Sequence, residues 1–146
     1  MKGHRKHLVF TLINIMIPIV LGTVIYLLTR PDTYISQWIY RLGISASDRA
    51  ESLPQWLRIF LCNFSADMLW AYSLTFAVYV ILCDHSQYMP MMLVTCFAFE
   101  TGIELLQLVD VLKGTFDWWD IALEICATAM ASLIIKNTRR KHYEKI

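Results

Sequence analysis

Residues 99–124 read "FETGIELLQLVDVLKGTFDWWDIALE", which sets six carboxylates, Glu100, Glu104, Asp110, Asp117, Asp120 and Glu124, among residues greasy enough for a lipid bilayer. In a soluble helix such acids mark the wet face. Here the flanking segments are built for lipid, so the acids require another explanation, and that explanation decides what kind of protein this is. The whole chain has 146 residues, of which 57% are hydrophobic and 17% charged, with a mean hydropathy of +0.47. That balance is too apolar for an ordinary soluble domain.

A hydrocarbon core about 30 Å thick takes roughly 20 helical residues. The run "LVFTLINIMIPIVLGTVIYLL" at 8–28 has that length and no charge, and it continues directly into "TRPDTY" without a signal-peptidase pattern. It is the first expected transmembrane helix, bent at Pro18 and Gly22. Further spans are expected at about 66–83, 89–109 and 118–135, with Ser65 as the N-cap of the second and "LPQWLRIFLCNF" as an amphipathic approach to it. Between the first two spans, Tyr34, Ile35, Trp38, Ile39 and Leu42 share a helical face, the pattern of an interfacial amphipathic segment. The expected fold is therefore all-α: a single membrane domain forming a four-helix bundle.

Charge gives the orientation. Of the 13 Lys and Arg residues, Lys2, Arg5 and Lys6 precede the first span and Lys136, Arg139, Arg140, Lys141 and Lys145 follow the last. The positive-inside rule puts both termini in the cytoplasm of the cell membrane, although the first outer loop carries Arg30, Arg41, Arg49 and Arg58. The basic tails read as membrane-surface anchors, with no nucleic acid as partner. Cys62, Cys83, Cys96 and Cys126 form no C-x-x-C pair and no zinc spacing, so they read as packing residues. His4, His7, His85 and His142 lie in tails or loops and suggest no metal site.

On this topology the end of span three and the starts of spans two and four lie at the same, outer, face. At 100° per residue, Glu100, Glu104 and Gln107 fall within about 60° of one helix face, and Asp117, Asp120 and Glu124 within about 60° of another, which Thr128 continues. Asp110 points away. With Asp67 near the start of span two, seven residues are expected to converge as a ligand-binding site: Asp67, Glu100, Glu104, Gln107, Asp117, Asp120 and Glu124. A carboxylate at the bilayer centre costs roughly 3 kcal/mol on insertion scales, so it normally faces a bundle interior or a water cavity. Crowded away from water, such groups hold shared protons. Helix capping by Asp117 and Asp120 and interhelical hydrogen bonding by Glu104 and Gln107 are the purely structural alternatives. Trp70, Trp118 and Trp119 read as interface anchors, and Ala127, Thr128, Ala131 and Ser132 as small residues for close helix approach.

The runs "IELLQL" and "GTFDWWDIALEICATAMA" resemble the VanZ-like family of small bacterial membrane proteins, whose pattern joins Glu-x-x-Gln on one helix to an Asp-led helix with small residues beyond. Glu104 and Gln107 match the first element, Asp120 the leading Asp, and Ala127 and Ala131 the small positions. Asp67 and Trp70 in "ADMLWAYSL" match an Asp-x-Leu-Trp element. Gly114 stands where the family has Arg, with Lys113 beside it, and Glu124 stands where it has Asn. The resemblance covers about half the chain, from Asp67 onward. A family of small membrane proteins with an F-x-W-x-D element is similar as well, through Phe116, Trp118 and Asp120. The VanZ-like resemblance implies a bacterial cell envelope protein linked to glycopeptide-type antibiotic tolerance, with an envelope lipid or glycopeptide-related molecule as ligand.

Three functions remain open from the residues: binding of a polar envelope ligand or lipid headgroup, proton- or cation-coupled transport through buried carboxylates, and an enzyme acting on a lipid-linked substrate. Transport with four spans requires a homo-oligomer. The enzyme reading lacks a nucleophile beside a base and a phosphate-binding glycine loop. No cofactor is implied.

Overall fold

The computed structural model of the protein describes residues 2–29, 41, 54–82, 88–112 and 116–143. Among these, 91% are helical and none lies in a strand. The helices are α1 (Lys2–Thr29), α2 (Gln55–Asn63), α3 (Ser65–Ile81), α4 (Met89–Leu108) and α5 (Trp118–Tyr143). The segment around Tyr34 to Leu42, expected as an interfacial helix, lies outside the described residues apart from Arg41, which is helical. Three stretches are long and apolar enough to cross a membrane: Leu8–Leu27, Met89–Leu108 and Trp118–Arg139. Their outward side chains, such as Leu12, Met16 and Val20 on α1, Val94 on α4 and Leu133 on α5, are exposed and apolar. A helix apolar on its outer face matches lipid as its solvent.

The second expected span departs from expectation. Ser65 is not an N-cap: its hydroxyl donates a 2.7 Å hydrogen bond back to the Leu61 carbonyl, and the amides of Phe64 and Met68 bond Phe60 and Phe64 across the junction. The hydroxyl occupies the carbonyl that the Ser65 amide would use in an unbroken helix, a substitution known to bend helices. α2 and α3 meet there at 45°. Alone, α3 is 17 residues long, about 26 Å at 1.5 Å per residue. The last helix also runs past the expected end at Ile135, its membrane-length stretch reaching Arg139.

α3 is the hub, packing on α1, α2, α4 and α5. It runs antiparallel to α1. Pro18 inside α1 has no amide to donate, which leaves the Asn14 carbonyl without its helical partner. Around this weak point α3 supplies polar ties: Tyr72 donates its hydroxyl to Asn14 Oδ1 at 2.7 Å and Ser73 donates to the Ile15 carbonyl at 2.8 Å. One turn onward, a Cβ on Gly22 would lie 2.9 Å from Trp70 Nε1 and 3.2 Å from the Ala66 carbonyl oxygen. Only glycine lets α1 approach α3 this closely. The Trp70 ring then meets Tyr26 at 5.5 Å between centroids.

α4 stops at a Schellman motif. The Asp110 amide bonds the Gln107 carbonyl and the Val111 amide the Leu106 carbonyl, with Asp110 at φ 57°. The chain thus turns back toward α5, which lies antiparallel to α4. Ala127, Thr128, Ala131 and Ser132 are all buried, and their small size lets α5 lie close to α3. Where α3 ends and α4 begins, Phe76, Val78, Tyr79, Met92, Cys96, Ala131 and Ile135 form the packed core. The opposite end of the bundle is less tightly filled, and the acids are there.

Candidate functional site: an acid-lined cavity

Glu100, Glu104 and Gln107 repeat at helical spacing along α4, and Asp120 and Glu124 along α5. The antiparallel α4–α5 pair sets these stripes face to face, and α3 closes the third side with Asp67 in its first turn. Between them lies a cavity of about 790 Å³. All seven residues singled out from sequence, Asp67, Glu100, Glu104, Gln107, Asp117, Asp120 and Glu124, line it. Asn63 and Phe64 from the α2–α3 bend, Tyr26 and Ile19 from α1, and Trp70, Leu74, Phe99 and Ile103 complete the wall. The cavity therefore joins acid side chains to an aromatic and apolar wall.

Behind the cavity wall, Glu100 belongs to a polar cluster. Thr128 donates a 2.6 Å hydrogen bond to Glu100 Oε1. The Thr75 hydroxyl, with one proton to give, lies 3.0 Å from the Ala71 carbonyl and 3.3 Å from Thr128 Oγ1. Ser132 donates to the Thr128 carbonyl at 2.8 Å. Thr75, Cys96 and Thr128 are fully enclosed, and Glu100 is 4% exposed. The second Glu100 oxygen, Oε2, is buried without a hydrogen-bond partner, and so is Glu124 Oε2. A buried acceptor left unmatched is costly, and Oε2 of Glu100 belongs to a side chain that lines the cavity.

Nearer the mouth, Glu104 is also 4% exposed. Its Oε2 receives the Asp117 amide at a long 3.5 Å. Asp117 precedes the first residue of α5 and accepts the Trp119 amide on Oδ1 at 2.9 Å, so it caps the helix as well as lining the cavity. Capping and cavity lining are thus combined in one residue. Among the described residues no three His, Cys, Asp or Glu side chains are grouped to hold a metal ion. The acids are spread around the wall of a space sized for a small organic molecule.

Trp118 and Trp119 are exposed as interface anchors would be. Trp70 is exposed as well, and its ring, packed on Gly22 and Tyr26, is also part of the cavity wall. Its spacing of three residues from Asp67 carried that signal, because both fall on one helix face. Tyr26 and Asn63 had no such signal, since nothing local ties them to the acid stripes. Thr75 reads as one more small residue in an apolar run until its contact with Thr128 is seen. The chain matches no protein-family model, no curated protein and no solved structure.

Proposed function

We propose that the protein is a four-span membrane protein of the bacterial cell envelope that binds a polar envelope ligand or lipid headgroup in the acid-lined cavity. The observation that carries this reading is the convergence of Asp67, Glu100, Glu104, Gln107, Asp117, Asp120 and Glu124, from three helices and a loop, on one cavity of about 790 Å³. Packing an aliphatic interior there would avoid the cost of burying acids. The fourth span is the bent α2–α3 pair, and its support is that α3 lies alongside the middle of α1 through Tyr72 and Ser73. The basic tails put both termini in the cytoplasm and the cavity mouth at the outer face.

Binding is favoured over transport by the far end of the cavity. Among the described residues, the bundle beyond Thr75 and Thr128 is filled chiefly by apolar side chains, Phe76, Val78, Met92, Ala131 and Ile135, with Tyr79 beside them. The motif resemblance to the VanZ-like family adds a phenotype to this reading, tolerance of glycopeptide-type antibiotics.

Two measurements test it. Native mass spectrometry of protein released from its own membrane should show a co-purifying small molecule that is lost when Ile103→Trp fills the cavity. An unchanged mass profile in that variant rules the cavity out as the site. For orientation, single cysteines at Gly114 and Ser86, in a background without the native cysteines, are exposed to an impermeant reagent in intact cells. Gly114 should label and Ser86 should not; the reverse pattern inverts the topology.

A further inference from the structure

We infer that the cavity selects a cation: an organic ammonium ion with an apolar body, its positive group seated between Glu100 and Glu124. This rests on the reading of the cavity as a ligand site and adds the charge class of the occupant.

Six carboxylates line the cavity, those of Asp67, Glu100, Glu104, Asp117, Asp120 and Glu124, and no Lys, Arg or His is among the lining residues described. Phosphate and carboxylate groups are repelled by such a wall. A buried acid with a protein partner would be explained as packing. Glu100 differs, because only one of its oxygens is used: Thr128 satisfies Oε1, and Oε2 is left buried and unmatched in a side chain 4% exposed. Glu124, half-buried on the neighbouring helix stripe, also leaves its Oε2 buried and unmatched.

Two unmatched carboxylate oxygens on side chains that line one cavity are what an alkylammonium group needs, since it brings three donors and a full charge. The remaining wall fits the rest of such a molecule. Trp70 and Tyr26, paired at 5.5 Å, offer aromatic faces that attract cations, and Leu74, Phe99 and Ile103 offer apolar surface. A free amine from the medium and an amine borne on a lipid chain share this chemistry.

Calorimetry on the purified protein in dodecyl maltoside, an uncharged detergent, separates the cases. The probes are 2-phenylethylammonium and dodecylammonium, each beside its neutral partner, 2-phenylethanol and dodecanol. Each ammonium ion should bind saturably and about tenfold or more tighter than its alcohol, the worth of a charged over a neutral hydrogen bond. Tighter binding of the dodecyl probe points to a lipid-borne amine, and equal binding to a free one; both support a cation site. Glu124→Gln should lower ammonium affinity by about tenfold, and among the described residues it removes no hydrogen bond. Glu100→Gln keeps the acceptor for Thr128 and should act in the same direction.

Equal affinity for ammonium and alcohol, unchanged affinity in Glu124→Gln, or no saturable binding of either ammonium probe overturns the inference. If that happens while Ile103→Trp still displaces a native occupant, the cavity binds a ligand of another charge class. If Ile103→Trp displaces nothing, the ligand reading falls with it.

Discussion

Thr128 on α5 donates to Glu100 on α4 at 2.6 Å, both side chains buried. This one bond joins the antiparallel pair at the depth where the cavity ends and the packed core begins. Val has nearly the shape of Thr and no hydroxyl, so Thr128→Val leaves Glu100 with no described partner on either oxygen. The expected loss is about 1–3 kcal/mol of stability, measured by denaturant unfolding in detergent. In a double-mutant cycle, Glu100→Leu should recover part of that loss, because the orphaned acceptor is gone. Additive losses would mean that the two side chains are not coupled.

The approach of α1 to α3 depends on Gly22. A methyl group there meets Trp70 Nε1 at 2.9 Å and the Ala66 carbonyl oxygen at 3.2 Å, and the backbone oxygen cannot step aside without moving the helix. Gly22→Ala should cost about 1–3 kcal/mol through overpacking. Combining it with Trp70→Leu, which vacates the indole, should cost less than the sum of the two single changes. Thermal unfolding of the three variants decides this.

Asp110 holds a left-handed conformation at φ 57° to close the α4 terminus. An L-residue pays roughly 1–2 kcal/mol for that geometry and glycine does not. Asp110→Gly should therefore raise stability by about 0.5–1 kcal/mol, the relieved strain less the chain entropy that glycine adds to the unfolded state, and Asp110→Val should lower it. The residue points away from the cavity stripe, so ligand binding should be unaffected by the glycine variant. A melting temperature that falls in Asp110→Gly would contradict the assigned turn.

Asp117 combines two roles that substitution can separate. Asp117→Asn keeps an oxygen for the Trp119 amide and removes the charge, whereas Asp117→Ala removes both. Stability should fall by about 1 kcal/mol in the alanine variant only, and binding of a cationic probe should weaken in both. Full binding in Asp117→Asn would leave the residue as a cap alone.

Glu104 tests the division between function and scaffold. Glu104→Gln keeps size and hydrogen bonding, and Glu104→Leu also removes the burial cost. Both variants should express and fold, and both should lose the ligand. If Glu104→Gln binds normally while Glu104→Leu fails to fold, Glu104 holds the bundle together and does not belong to the site.

The lining of the cavity was more legible in the sequence than the fold around it, and the physical reason is range. Glu100, Glu104 and Gln107 announce their shared face through helical periodicity, and acids in an apolar run cannot be hidden. Asp67 joined them through topology alone. By contrast, the ties that place α3 on α1, Tyr72 to Asn14 and Ser73 to Ile15, link positions 58 apart, and no local pattern encodes them. Ser65 shows a different limit. A serine before an apolar helix has the same sequence signature whether its hydroxyl caps the next amide or bonds back to the turn before, and here the second outcome bends the chain.

The packed end formed by Phe76, Met92, Cys96 and Ile135 also has an electrical consequence. Moving one elementary charge across a whole membrane is worth about 2.3 kcal/mol per 100 mV. With the cavity open to water at the outer face, as proposed above, the packed end is the insulating layer and the cavity shorts out much of the other. The voltage therefore drops chiefly between the core and the far surface, so a charged ligand reaching Glu100 traverses only a small fraction of it. Occupancy should hardly respond to energisation of the cell, and an acid cluster can sit deep in this membrane protein without opening a leak.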